Sequence, residues 1–272
     1  LAQEFKQNFI IRSITGMGIT LPIFFIIFLE NNYIFIAFLA LITGVAIFEW
    51  YKNSNNKGFV IDSILISMFA LLVSLYADEF LLYFIFFISV FWFIFSISLL
   101  TKTYTKLSYI SFENNYLRTL IPLSFFGGGA YLIGQDNFLP FSNYYLMLVI
   151  ILNSAISDSS AYLVGSFFGK NSLLKEISPN KTLEGFLGGV ISSTIFGLLI
   201  SHLFEVNYIF IAILAIGSIF AFTGDYFFSF LKRQSGIKDT GSLLPGHGGI
   251  LDRMDSHFSA IPVIILLIIF LI

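Results

Sequence analysis

Apolar residues run in long, nearly uninterrupted stretches along this chain, separated by short polar connections. A membrane-crossing helix needs about 20 such residues, and runs of that length predict helices that span a bilayer. Spans are expected near 13–29, 33–50, 59–76, 80–99, 117–133, 143–166, 186–204, 207–230 and 257–272. The third opens weakly because Asp62 lies inside it, and Gly127-Gly128-Gly129 loosens the fifth. The first run lacks the small-residue cleavage site of a secretory signal peptide, so it is expected to stay as a span. The predicted fold class is therefore all-α, a polytopic membrane protein with about nine transmembrane helices.

The connections carry a second pattern. All 14 Lys and Arg residues fall in alternate connections, from Lys6 and Arg12 through Lys52, Lys57, Lys102, Lys106, Arg118, Lys170, Lys175 and Lys181 to Lys232, Arg233, Lys238 and Arg253. The other set, near Glu30, Asp78-Glu79, Asp136 and Glu205, has no basic residue. The positive-inside rule produces such segregation. It predicts a cytoplasmic N-terminus, an outer C-terminus and cytoplasmic loops at 167–185 and 231–256, the longest polar segments of the core. Lys102, Lys106 and the rest of 101–116 read as topogenic charge. Trp50-Tyr51 and Tyr144-Tyr145 read as interfacial anchors. The predicted organisation is a set of N-terminal helices over 1–135 and a C-terminal part over 136–272 that carries those two loops.

Composition agrees with the pattern. The chain is 57% hydrophobic and only 11% charged, with a mean hydropathy of +0.89; soluble domains carry about 25% charged residues. Disorder and an ordinary cytosolic fold are excluded. A net charge of −2 supplies no field that would attract nucleic acid. With no cysteine, disulfides, thiolate metal sites and cysteine nucleophiles are excluded together.

Charged residues inside apolar runs are expensive and point to function. Asp158 lies deep in the sixth run and Asp225 late in the eighth. A helix-packing carboxylate bonded to a neighbouring Ser or Thr is the other reading of Asp158. On a helix, Asp225, Ser229, Lys232 and Arg233 form one stripe, a carboxylate followed by two cations. Such a stripe suits a divalent ion beside bound phosphates, although Lys232 and Arg233 alone also suit snorkelling anchors. The stretch Lys238 to Asp255 holds four glycines, Pro245 and His247. Its backbone can approach an anion closely, and it leads into Asp252 and Asp255 on one face of the next helix start. With three His and no Cys, zinc is not expected, whereas carboxylate oxygens suit Mg²⁺. His202 and His257 lack sequence partners and read as structural. Ser178-Pro179-Asn180-Lys181-Thr182 resembles a phosphate-binding cap before span seven, with Ser178 or Thr182 as a plain N-cap the alternative. Asn180-Lys181-Thr182 also spells a glycosylation sequon, discounted because it falls on the cytoplasmic side.

Ser229, Lys232-Arg233, Lys238-Asp239, Pro245, Gly246-His247-Gly248-Gly249 and Asp252-Arg253-Met254-Asp255 together closely resemble the signature of the phosphatidate cytidylyltransferase (CDP-diacylglycerol synthase) family. Asp158-Ser159, Ala161-Tyr162, Gly165, Phe168-Gly169-Lys170 and the 178–185 stretch resemble it too. The likeness covers roughly 150–262, and the N-terminal half agrees only in hydropathy. It departs at Phe228, where family members often have Glu, at Asn180, commonly a second basic residue, and at Leu183, commonly Trp.

The resemblance implies transfer of a cytidylyl group from CTP to phosphatidate, giving CDP-diacylglycerol and pyrophosphate for phospholipid synthesis at the cell membrane. Under it, Asp225, Asp252, Asp255, Lys238 and His247 form the expected catalytic set, and Asp225 and Asp252 the Mg²⁺ ligands. A second cation such as K⁺ has Asp255 or Asp158 as its candidate ligand. Lys181, Lys232, Arg233, Lys238 and Arg253 are expected to bind triphosphate and lipid phosphate. Asp158, Ser178, Thr182, Ser229, Asp239, Gly248 and Gly249 complete the substrate-binding set. A homodimer through the N-terminal helices is an expectation from the resemblance alone. A kinase or another nucleotidyltransferase would share such a site. An ion-coupled transporter built on Asp158 and Asp225 is disfavoured by the absence of internal repeats and by the basic cluster at the surface.

Overall fold

The computed structural model describes residues 18, 21–54, 59–76, 78–106, 110–245 and 248–272. Helix α1 covers 21–29. It is followed by α2 (Asn32–Lys52), α3 (Phe59–Tyr76), α4 (Asp78–Leu100), a 3-10 turn (Thr103–Lys106), α5 (Asn115–Gly134), α6 (Asn143–Phe168), α7 (Leu183–Leu203), α8 (Ile209–Gln234) and α9 (Leu251–Leu271). Among the described residues there is no strand, only two isolated bridges, Ser172 with Thr182 and Leu244 with Gly248. Six helices (α2, α4, α6, α7, α8 and α9) are long and apolar enough to cross a membrane, and α3 has a shorter apolar stretch, Val60–Ser74.

Local sequence explains four of the helix starts. Asn31, Asn114, Ser142 and Thr182 each turn a side-chain oxygen onto backbone N–H groups of the first turn, which satisfies donors that helix geometry leaves unpaired. Helix α9 differs. It begins at Leu251, so Asp252 and Asp255 lie at its start as the sequence suggested, and no side chain next to it in sequence caps it; its cap comes from α2, as described below.

Association of helices in lipid depends on close approach more than on apolar burial, and small residues permit it. The glycines of α5 act in this way. A Cβ at Gly127 would lie 2.9 Å from Phe84 of α4, at Gly128 2.9 Å from Ile261 of α9, and at Gly129 2.6 Å from Leu39 of α2. Helix α5 is continuous through the triplet, which therefore serves as a three-sided contact rather than a weakened stretch. Helix α9 lies at the centre, packed on α2, α4, α5, α6 and α8. The outer faces of α3, α4 and α7 expose Ile61, Phe69, Phe87 and Ile195, as lipid-facing surfaces do.

Four connections meet at one end of the bundle. There Trp50 Nε1 donates to Phe112 O (3.1 Å), Asn53 Nδ2 to Thr240 O (2.6 Å) and Arg233 Nε to Ile177 O (3.2 Å). At the other end Asn143 Nδ2 ties Leu132, Gln135 and Asp136 carbonyls together.

Candidate active site

At the first of these ends, Lys181 reaches across from the segment before α7 to α8. Its ammonium lies 2.6 Å from Asp225 Oδ2, 3.3 Å from Ser229 Oγ and 4.5 Å from the centre of the Tyr226 ring. Asp225 and Ser229 stand one helical turn apart on one face, so a single cation meets both. Tyr226 is buried beneath it and packs on Phe222 at 4.8 Å. Lys181 is itself fixed. Its neighbour Thr182 caps α7 through Gly185 N–H (3.1 Å), and its own N–H donates to Ser178 O (3.3 Å).

A second ion pair links the same helix to α9. Lys232 Nζ is 2.8 Å from Asp252 Oδ1, and the Asp252 side chain is only 6% exposed. Its other oxygen accepts from Thr240 N (2.8 Å), Thr240 Oγ1 (2.9 Å) and Gly249 N (3.0 Å). The glycine loop does wrap an anion, but in this structure that anion is Asp252. Gly248 has φ +84°, a left-handed conformation that favours glycine, and a Cβ there would come 2.8 Å from Asp252 Oδ2.

The remaining carboxylates lie between the pairs. Ser256 Oγ donates to Asp158 Oδ2 at 2.6 Å, and Ser256 N–H donates to Asp255 Oδ1 at 2.9 Å. Asp255 is within electrostatic reach of Asp158, Asp225, Lys181 and Lys232. The bond to Ser256 is the packing role that sequence offered Asp158, yet Asp158 also faces a cavity with Asp225. The site depends on the close crossing of α8 and α9 at Gly224, where a Cβ would fall 2.3 Å from Asp255 O and 2.3 Å from Ser259 Oγ.

This cavity has a volume of about 760 Å³ and is lined by Asp158, Asp225, Lys170, Lys175, Lys181 and Ser178 among others. That is the size of a small-molecule site. Three cations and two carboxylates at its wall suit polyphosphate together with a hard cation. Among the described residues no group of three or more His, Asp or Glu side chains forms a ready-made metal shell.

The sequence profile of the cytidylyltransferase family matches residues 10–271. The chain belongs to the cytidylyltransferase family. Among similar curated proteins, the phosphatidate cytidylyltransferase of Staphylococcus aureus (strain COL) is 44% identical over 117 residues, 42% of this chain and 45% of that protein. That of Staphylococcus haemolyticus is 42% identical over 128 residues, 46% and 48% of the two chains. That of Staphylococcus epidermidis is 39% identical over 117 residues, 42% and 45% of the two chains. The matches span just under half the length of these curated relatives.

In this family member Asp158, Asp225, Asp255, Lys181 and Ser229 come together as one cluster, with Lys232, Asp252, Gly248 and Gly249 beside it. Ser178 and Thr182 line the cavity, although the Thr182 hydroxyl is occupied as a cap. Arg233 braces the 170–182 segment through Ile177 O. Lys238, Asp239 and Arg253 are exposed and do not line this cavity. His247 lies outside the described residues, as does Gly246. Phe228 is fully buried among Trp50, Phe227 and Phe258, so the departure from Glu falls in an aromatic core. Lys170 stood in the family likeness without a site role, and sequence reasoning passed over Lys175 at the cavity, Tyr226 under Lys181, and Ser256 between two carboxylates. It also missed Glu49, a charge at the end of the second apolar run that the same rule should have flagged.

Proposed function

We propose that this chain transfers the cytidylyl group of CTP to phosphatidate at the cytoplasmic face of the cell membrane. The supporting observation is the Lys181–Asp225 pair, set with Asp158 in a cavity at one end of an apolar bundle, with Asp255 close by. In the reaction a phosphatidate oxygen bonds to the α-phosphorus of CTP. The bond from that phosphorus to the bridging oxygen breaks, and pyrophosphate leaves with the electron pair. The attacking phosphate is already ionised near neutral pH, so no general base is needed. Both reactants are anions, and catalysis consists of neutralising charge and aligning them.

Lys170, Lys175 and Lys181 supply positive charge along the cavity. Lys181, shared by Asp225 and Ser229, stands where α8 can guide a phosphate toward the membrane end of the site. The carboxylate and hydroxyl donors fit a hard cation, and a bound Mg²⁺ would neutralise phosphate charge during transfer. Asp225 would hold it, with Asp255 and Asp158 nearest at hand. Asp252, whose two oxygens already receive four donors, would join only as Lys232 gives way. The same reading includes nine membrane spans with the basic connections in the cytoplasm, supported by the segregation of all 14 Lys and Arg, and a homodimer implied by family resemblance.

The test is pyrophosphate release by purified protein in detergent, with CTP, phosphatidate and Mg²⁺. Release that needs the lipid and stops with EDTA is the expected result, with α-phosphate label from CTP entering the lipid. Label from the γ-phosphate in the lipid would make the protein a kinase and overturn the reading.

A further inference from the structure

Glu49, near the C-terminal end of α2, is 1% exposed, and the function proposed above gives it no task. Its Oε2 accepts the backbone N–H of Leu251 at 2.9 Å, the first residue of α9. Its Oε1 has no hydrogen-bond partner among the described residues. Two glycines of the signature loop rest on the same carboxylate. A Cβ at Gly241 would lie 2.7 Å from Oε1, and one at Gly249 would lie 2.4 Å from Oε2. One turn along α2, Asn53 Nδ2 donates both to Glu49 O (2.8 Å) and to Thr240 O (2.6 Å).

Thr240 and Gly249 are the residues whose N–H groups hold Asp252 Oδ2. The chain of contacts therefore runs from α2 to the loop and from the loop to Asp252 and the start of α9. We propose that Glu49 is a positioning residue: through Leu251, Gly241 and Gly249 it sets the loop, Asp252 and the first turn of α9 in their working geometry. A carboxylate at the positive end of a helix is electrostatically favoured, which explains why this helix start needs no cap from its own neighbourhood. Its burial against glycines means that nothing larger than hydrogen fits between α2 and the loop. Asn53 assists by anchoring Thr240 from the same helix. Neither side chain touches substrate in this scheme. The role rests on the cytidylyltransferase reading only for its effect on rate, and the clamp itself is a statement about geometry.

The experiment compares wild type with Glu49→Ala and Glu49→Gln by two readouts, hydrogen exchange of the backbone amides at Thr240, Gly249 and Leu251, and pyrophosphate release with CTP and phosphatidate. Glu49→Ala is expected to speed exchange at these amides about tenfold or more and to lower kcat about tenfold or more, with KM for CTP within about threefold. Glu49→Gln keeps an acceptor for Leu251 N–H and should recover kcat to within about threefold of wild type. If Glu49→Ala does not fold, Gly241→Ala carries the test. Its new Cβ collides with the carboxylate and should lower kcat, and adding Glu49→Asp, which withdraws the carboxylate by one methylene, should restore part of the loss. Unchanged exchange in Glu49→Ala, unchanged kcat in an active preparation, or a Gly241→Ala defect that Glu49→Asp leaves untouched would overturn the proposal. An inactive wild type with faster exchange in Glu49→Ala would instead remove the proposed function and leave the clamp standing.

Discussion

Gly224→Ala tests whether the crossing of α8 and α9 sets the distance between Asp225 and Asp255. The added Cβ would sit 2.3 Å from Asp255 O and 2.3 Å from Ser259 Oγ, where ordinary contacts begin at 3.4 Å. Ser259 cannot turn aside freely, because its hydroxyl donates to Phe220 O (2.6 Å) and lies 3.1 Å from Ser256 O. The Asp255 carbonyl is backbone and can yield only if the helix moves. The helices must therefore part by about 1 Å, an overpacking strain of about 1–3 kcal/mol. A misplacement of about 1 Å between reacting groups costs about 100-fold in rate, equivalent to about 2.7 kcal/mol. Pyrophosphate release at saturating CTP and phosphatidate, run beside thermal unfolding in detergent, should show kcat down about 100-fold in protein that still folds. Adding Ser259→Ala removes one obstacle and leaves the carbonyl, so the double variant should stay impaired. A Gly224→Ala protein with kcat within about twofold of wild type and an unchanged unfolding midpoint would refute the reasoning.

Two further outcomes follow from the same geometry. Lys181→Met keeps an apolar stem over Tyr226 but removes the charge shared by Asp225 and Ser229; KM for CTP should rise about tenfold and kcat fall at least about tenfold, with Lys181→Arg restoring only part of this, and normal kinetics in Lys181→Met would take this lysine out of the site. Phe228→Glu places a carboxylate among Trp50, Phe227 and Phe258 and should destabilise the fold by about 3–5 kcal/mol, read as a lower unfolding midpoint; an unchanged midpoint would show that this aromatic pocket holds a partner for the charge.

The apolar runs marked the helices well because hydropathy is a property of each segment by itself. The ends were less legible. The membrane span was expected from 257, and Asp252 and Asp255 were already read as the start of that helix, which begins at Leu251; what was not legible is that Glu49 of a distant helix supplies its cap. Asp158 and Asp225 stood out because a charge in an apolar run is costly wherever the chain folds. Lys181 was visible as a cap-like motif, although its partnership with Asp225 required the fold. The contacts of Gly127, Gly128 and Gly129 with three different helices could not be read locally, since the sequence shows only that small residues are present. The glycine loop was read as approaching an anionic ligand, whereas in this structure the anion it holds is the side chain of Asp252, a placement that depended on where α9 begins.

The ion pair between Lys181 and Asp225 has a thermodynamic consequence. An anion that draws the ammonium toward itself uncovers the carboxylate, and a cation that takes the carboxylate sets the ammonium free. Each ligand would thereby remove a competitor of the other, so the two would bind with positive cooperativity, and linkage requires the same factor in both directions. With neither present, the ammonium and the carboxylate hold each other, 2.6 Å apart.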